Sequence, residues 1–265
     1  MANVVITGST KGIGRGLATE FARLGHNVMI AGRSQQAIDE AIANIGSQPG
    51  KVSGRPCEVS QKEQVQALWD AAAEEFGSID IWINNAGLAR TVWPILETPD
   101  EEIQAMVTTN MFGTIFGSKV AVSGMKAQGH GKLFNMLGGG SDGEFFPGIG
   151  IYGTTKRGLN YFTDALIKEN KDTPLVIGKI RPGMVITEAV VREAKADLEN
   201  FNKNRKTMNN LCDTVDTVSP YLVEQILKTE KSGTKIRWLT GGKIAKRMML
   251  SRFRNQPDKF EAFGL

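Results

Sequence analysis

Short apolar runs rich in branched residues alternate with longer stretches in which apolar positions recur every three or four residues. The runs predict strands at Asn3–Thr7, Asn27–Ala31, Val52–Glu58, Ile79–Asn84, Lys132–Leu137, Leu175–Arg181 and Lys235–Leu239. The periodic stretches predict helices at Gly12–Leu24, Ser34–Ile45, Gln61–Phe76, Glu101–Met125, Tyr152–Glu169 and Ser219–Glu230. In the first helix Ile13, Leu17, Phe21 and Leu24 make one apolar stripe, and Gly25 stops it. Near-continuous apolar strands separated by helices describe a parallel sheet covered on both faces. The expected fold is α/β, a doubly wound seven-stranded parallel sheet with helices on both faces, forming a single domain over residues 1–265. The longest stretch without a predicted strand, 187–219, is charged and helix-prone. Ligands of open sheets bind beyond the strands' carboxyl ends, so this insertion reads as a substrate lid or as a helical spacer.

Composition narrows the class. With 265 residues, 41% of them hydrophobic and 23% charged, the chain can bury a core without disulfides. The 30 glycines follow no triplet period, which excludes a collagen-like chain. Cys57 and Cys212 are far apart, as are His26 and His130, so no metal is expected and the cysteines read as small apolar residues. No run approaches 18 apolar residues, and Met1 leads straight into a strand. A cytoplasmic protein is expected, or an organelle-stromal one if a transit peptide has been removed. The net charge of +4 is concentrated at the end: from Lys228 onward there are 10 Lys/Arg against 3 Asp/Glu. In the tail at 240–265, Lys243, Lys246, Arg247, Arg252 and Arg254 interleave with Ile244, Met248, Met249, Leu250 and Phe253. That pattern suits peripheral membrane contact, although packing on the chain's own domain or on a partner subunit is the commoner use. No nucleic-acid partner is implied.

The first strand runs into Gly8-Ser9-Thr10-Lys11-Gly12-Ile13-Gly14 and then a helix. Glycines let such a turn take positive φ and approach a pyrophosphate, while the helix N-terminus offers free N–H groups and partial positive charge. The strand–turn–helix context makes this a Rossmann-type dinucleotide site. The second strand ends in Gly32-Arg33-Ser34, with no acid to bind a ribose 2′-hydroxyl, and Lys11 adds a second cation. Arginine's fork suits a 2′-phosphate, so NADPH is the expected cofactor.

The Gly8-x3-Gly12-x-Gly14 spacing resembles the TGxxxGxG turn of the short-chain dehydrogenase/reductase family. The resemblance implies that Asn85-Ala86-Gly87 packs against the cofactor, that Glu58-Val59 stands where the family has Asp-Val near adenine, and that Pro182, Gly183, Val185 and Thr187 contact the nicotinamide end. Tyr152 and Lys156 stand four apart on a predicted helix and so share one face. A cation there favours phenolate, which lets the tyrosine exchange protons with a carbonyl or alcohol nearer neutral pH. By resemblance Asn110 is the asparagine of the helix bend and proton relay. The family serine lies thirteen residues before the tyrosine, where this chain has Gly139; Ser141 lies eleven before it. Either the Ser141 hydroxyl reaches the carbonyl through a flexible glycine loop, or it is a turn residue and the N–H groups of Gly138–Gly140 serve instead.

Several further motifs, TGSTKGIG, IDIWINNAG, FNMLGGGSDG, YGTTKRG and PGMVITE, resemble the chlorophyll(ide) b reductase-like branch, with Leu137 in place of the branch's aspartate. The resemblance implies an NADPH-dependent reductase of a small-molecule carbonyl, with a formyl tetrapyrrole as the specific substrate, in a homo-dimer or homo-tetramer. Two alternatives are a non-enzymatic NADPH-binding redox sensor or scaffold, and an alcohol dehydrogenase acting on an unrelated small alcohol or ketone.

Overall fold

A computed structural model describes residues 1–251, 253 and 257–265. Its main sheet contains seven parallel strands: β1 (Asn3–Ile6), β2 (Asn27–Gly32), β3 (Val52–Pro56), β4 (Ile81–Asn84), β5 (Lys132–Met136), β6 (Val176–Arg181) and β9 (Lys235–Arg237), in the order β3-β2-β1-β4-β5-β6-β9. The expected doubly wound sheet is present; strand ends coincide with the predicted limits or fall up to two residues inside them, except that β2 runs one residue further, to Gly32. Alternate residues of β1 feed opposite layers. Val4 and Ile6 join Leu17, Phe21 and Leu222 on one face. Val5 packs with Trp82, Leu68 and Leu133 on the other. The helices supplying these layers are α1 (Gly12–Arg23), α2 (Gln35–Ile45), α3 (Lys62–Phe76), α5 (Gly113–Gln128), α6 (Gly150–Glu169) and α9 (Val215–Lys228).

The strand order reverses between β1 and β4, both of which pair directly. A crevice opens beyond the carboxyl ends of strands at such a switch point. The glycine turn leaves β1 there and Asn85-Ala86-Gly87 leaves β4 there, so topology alone brings the two motifs together.

Three expectations need correction. The helix expected over Glu101–Met125 is α4 (Asp100–Val107), a π-helical turn at Thr108–Phe112, and α5. Apolar periodicity runs on through that turn, so the pattern did not mark the extra residue. The region expected to lack strands is bounded by a small parallel pair, β7 (Val185–Ile186) with β8 (Asp213–Thr214), and contains α7 (Glu188–Ala196) and α8 (Leu198–Leu211). Two-residue strands carry too little pattern to be read. Finally, α9 begins at Val215 rather than Ser219: Ser219-Pro220 looks like a cap and first-turn proline, yet Pro220 lies inside the helix.

The tail forms α10 (Gly241–Leu250) and then folds back. Phe260 is buried edge-on against Phe201 of α8 at 5.0 Å, and Arg205 pairs with Asp258 at 2.5 Å. Of the basic tail residues, Arg247 pairs with Asp213 at 2.8 Å and Lys243 lies over Trp238. Ile244, Met248 and Met249 remain at least one-third exposed. Arg252 and Arg254 lie outside the described residues. Among those residues no helix is long and apolar enough to cross a membrane.

Candidate active site and its relatives

The glycine turn is held rigidly from below. Ser9 is buried; its hydroxyl donates to Ile6 O (2.6 Å) and accepts from Ala31 N (2.9 Å), while Ser9 N donates to Ala31 O (2.9 Å). Gly8 has φ +62° and Gly12 φ +55°, which a side chain would strain. Asn85 Nδ2 donates to Thr7 O and Gly8 O, both at 2.9 Å, and the N–H groups of Asn85 and Ala86 reach the Thr7 hydroxyl at 3.1 Å. Helix α1 has no side-chain cap and no acid in its first turn. The N–H groups of Gly12, Ile13 and Gly14 meet no protein acceptor among the described residues. Orphan donors at a helix start are a ready anion site, so these residues fit a dinucleotide pyrophosphate.

Thr10 packs on Gly32 at the tip of β2, next to Arg33. Arg33 and Lys11 are exposed and form no ion pair among the described residues. Ser34 is committed as the cap of α2, accepting from Ala37 N at 3.3 Å. Glu58 Oε1 is held by the N–H and hydroxyl of Ser60, and Val59 is buried against Gly113. Gly183 takes φ +78° against Leu239, following Pro182, and directs the chain into β7 with Val185. Thr187 caps α7 through Val190 N (3.4 Å) and lies close to Gly12. The segment from Pro182 to Thr187 and the glycine turn are thus neighbours.

The residues expected to be catalytic assemble around the π-helical turn. Asn110 is fully buried; Oδ1 accepts from Leu88 N (2.7 Å), and Nδ2 donates to Leu88 O (3.0 Å) and Thr155 Oγ1 (3.0 Å). Both amide hydrogens are therefore used in fixing the bend. Thr155 in turn donates to Tyr152 O at 2.7 Å. Lys156 is buried, donates to Met136 O at 3.1 Å and lies 5.7 Å from the Tyr152 ring centre. One of its three donors is used, leaving two for a ligand. An added Cβ on Gly87 would stand 3.3 Å from Asn110 Oδ1 and 3.5 Å from Lys156 Nζ, so these groups share one small space.

Burial decides the charges here. It pushes the Tyr152 phenol up to about 12 and the Lys156 ammonium down to about 8. The expectation that the lysine would lower the tyrosine therefore needs correction in the ligand-free site: desolvation penalises phenolate more than the cation rewards it. The neutral phenol is the form that can donate a proton.

Ser141 makes no hydrogen bond to the Tyr152 phenol. It is fully buried with an unpartnered hydroxyl, and its carbonyl accepts from Arg157 (3.2 Å) and Asn160 (3.1 Å). Gly138 instead faces the Tyr152 hydroxyl so closely that an added Cβ would collide with it. A count forward from Asn135, rather than back from Tyr152, would have found it, because the segment between them is one residue longer than the usual pattern. Residues missed in the sequence also include those that seat α7. Glu193 accepts from Thr91 N (2.9 Å) and pairs with Arg90 (3.4 Å), while Glu188 pairs with Arg15 (3.2 Å). A cleft of about 740 Å³ lies between α1, α7 and α9, lined by Gly12, Arg15, Glu188, Arg192 and Ser219; Tyr152 is not on it.

The short chain dehydrogenase family model matches residues 2–198. A rice (Oryza sativa subsp. japonica) protein named chlorophyll(ide) b reductase NOL, chloroplastic, is 37% identical over 257 residues, covering 93% of this chain and 74% of that one. An Arabidopsis thaliana protein named "Probable chlorophyll(ide) b reductase NYC1, chloroplastic" is 35% identical over 260 residues, covering 91% of this chain. The chain spans about half of that relative's length, 51%. Levodione reductase has the same fold, with a TM-score of 0.80 at 24% identity over 91% of this chain and 97% of that one. The chain belongs to the short chain dehydrogenase/reductase family of oxidoreductases.

Proposed function

We propose that this chain is an NADPH-dependent carbonyl reductase whose substrate is a formyl-bearing tetrapyrrole of the chlorophyll(ide) b type. The observation that carries the reductase reading is the placement of Lys156 and Asn110 beside Gly87, with the Tyr152 ring 5.7 Å from Lys156 Nζ, at the switch point where α1 presents its free N–H groups. Arg33 and Lys11, with no acid at the tip of β2, support the phosphorylated dinucleotide. The names of the rice and Arabidopsis relatives support the substrate and an organelle-stromal location.

The dinucleotide, when bound, supplies a hydride to the carbonyl carbon. The Tyr152 phenol donates its proton to the carbonyl oxygen, giving the alcohol, and is reprotonated from solvent. Lys156, cationic below about pH 8, stabilises the transient phenolate and offers its two free donors to the dinucleotide's ribose. Asn110 holds the bend that keeps Lys156 and Gly87 adjacent. Helix α7 acts as the lid, seated on one side by Arg15–Glu188 and on the other by Thr91 and Arg90 on Glu193. The reading also includes a homo-dimer or homo-tetramer.

Tyr152→Phe removes the proton donor and leaves the packing. Turnover is expected to fall at least 100-fold, with NADPH affinity by fluorescence titration unchanged. Retained turnover would sink the assignment.

A further inference from the structure

The loop between β5 and α6 lacks the serine that resemblance leads one to expect beside the tyrosine. Its backbone offers a substitute. Ser141 N donates to Gly138 O at 3.2 Å and Gly140 has φ +83°, while Gly139 is not at positive φ. These are the marks of a type II turn with Gly139 and Gly140 at its centre. The N–H groups of Gly138, Gly139 and Gly140 reach no protein acceptor among the described residues. Gly138 and Gly139 are partly open to solvent, and Gly140 is packed against Gly153, an added Cβ lying 2.6 Å from its Cα. The turn therefore holds free donors on the helix face formed by Ile149, Tyr152 and Gly153, with Gly138 against the phenol.

The same turn is tied down from behind, which fixes those donors in advance of any substrate. Arg157 and Asn160 hold the Ser141 carbonyl. Asp142 binds Lys235, Arg181 at 2.6 Å and Arg237 at 3.3 Å, linking the turn to β6 and β9. Burial works against its carboxylate, but Lys235, Arg181 and Arg237 together hold it below the usual carboxylate range. The anchor is thus ionised throughout neutral pH and is lost only in acid. Donors fixed where charge develops cost no reorganisation during the reaction.

We infer that the Gly139 backbone N–H, in place of a serine hydroxyl, polarises the carbonyl oxygen of the substrate, and that Ser141 takes no part in the chemistry. The inference rests on the reductase reading above. It predicts a pattern that no serine-based site would give. A Cβ at Gly139 has room, with Ile149 Cδ1 the nearest atom at 3.8 Å, so the position accepts a larger residue. Gly139→Pro suits the second position of a type II turn and deletes that one donor.

The test measures kcat and KM for the variants with chlorophyllide b, or with diacetyl if the wild type reduces only simple ketones. NADPH affinity and thermal midpoint are measured alongside. Ser141→Ala is expected to stay within about threefold of wild type. Gly139→Pro is expected to lose on the order of 100-fold in kcat, with KM, NADPH affinity and the midpoint little changed. Wild-type turnover in Gly139→Pro, or a comparable loss in Ser141→Ala, overturns the inference; the serine result stands even if the proline variant does not fold. A wild type that reduces no carbonyl overturns the reductase reading, and the inference with it.

Discussion

At the scale of single residues, opposing groups are set by where they are buried. Among the described residues Lys156 pairs with no carboxylate, and burial lowers its ammonium to about 8 while holding the Tyr152 phenol neutral. The sign follows directly. Below pH 8 the lysine is charged and the tyrosine protonated, the state needed to reduce a carbonyl. The pH profile of kcat/KM for reduction should therefore be flat from about pH 6 to 7.5 and fall tenfold per unit well above 8, through loss of the lysine proton. A profile rising through pH 9 would contradict this account. Cofactor choice also belongs here. In the proposed reading, replacing Arg33 and Lys11 by alanine removes the two cations offered to a 2′-phosphate, charge-assisted contacts typically worth about 1.5–3 kcal/mol each. The ratio of kcat/KM for NADPH over NADH should drop at least tenfold, and an unchanged ratio would place the selectivity elsewhere. The pairing of Tyr152 with Lys156 and the glycine turn were legible because each depends on close spacing along the chain. Ser141 was not, since one inserted residue shifts which side chain faces the phenol, and sequence distance alone does not say on which side of Gly139 the extra residue falls.

Elements show the same division between local and distant information. Strands such as β1 and β4 are nearly all apolar and declare themselves. The π-helical turn at Asn110 does not, because it is made by the capture of the Leu88 main chain by a side chain 22 residues away. Helix α7 is likewise defined by partners remote in sequence. Glu193 is mostly buried and holds both the Thr91 N–H and Arg90. Glu193→Ala should leave the partly buried Thr91 N–H unpaired and free α7, at a cost of about 1 kcal/mol. Limited proteolysis within 187–219 should quicken, and stopped-flow release of NADPH should accelerate roughly tenfold. Unchanged rates in both would show that α7 is a spacer and not a lid.

For the whole molecule, the sheet order explains why motifs scattered from Gly8 to Thr187 meet. The reversal between β1 and β4 opens a crevice into which the glycine turn, the loop after β4 and the start of α6 all emerge. Substrate identity is not written into that architecture, because one fold hosts many chemistries. The most direct measurement incubates the purified protein with NADPH and chlorophyllide b and follows both NADPH absorbance and the formyl chlorin spectrum, with Tyr152→Phe as control. The account predicts stoichiometric NADPH oxidation and conversion to the hydroxymethyl chlorin in wild type alone. No oxidation with chlorophyllide b, and none with simple ketones or aldehydes, would contradict it.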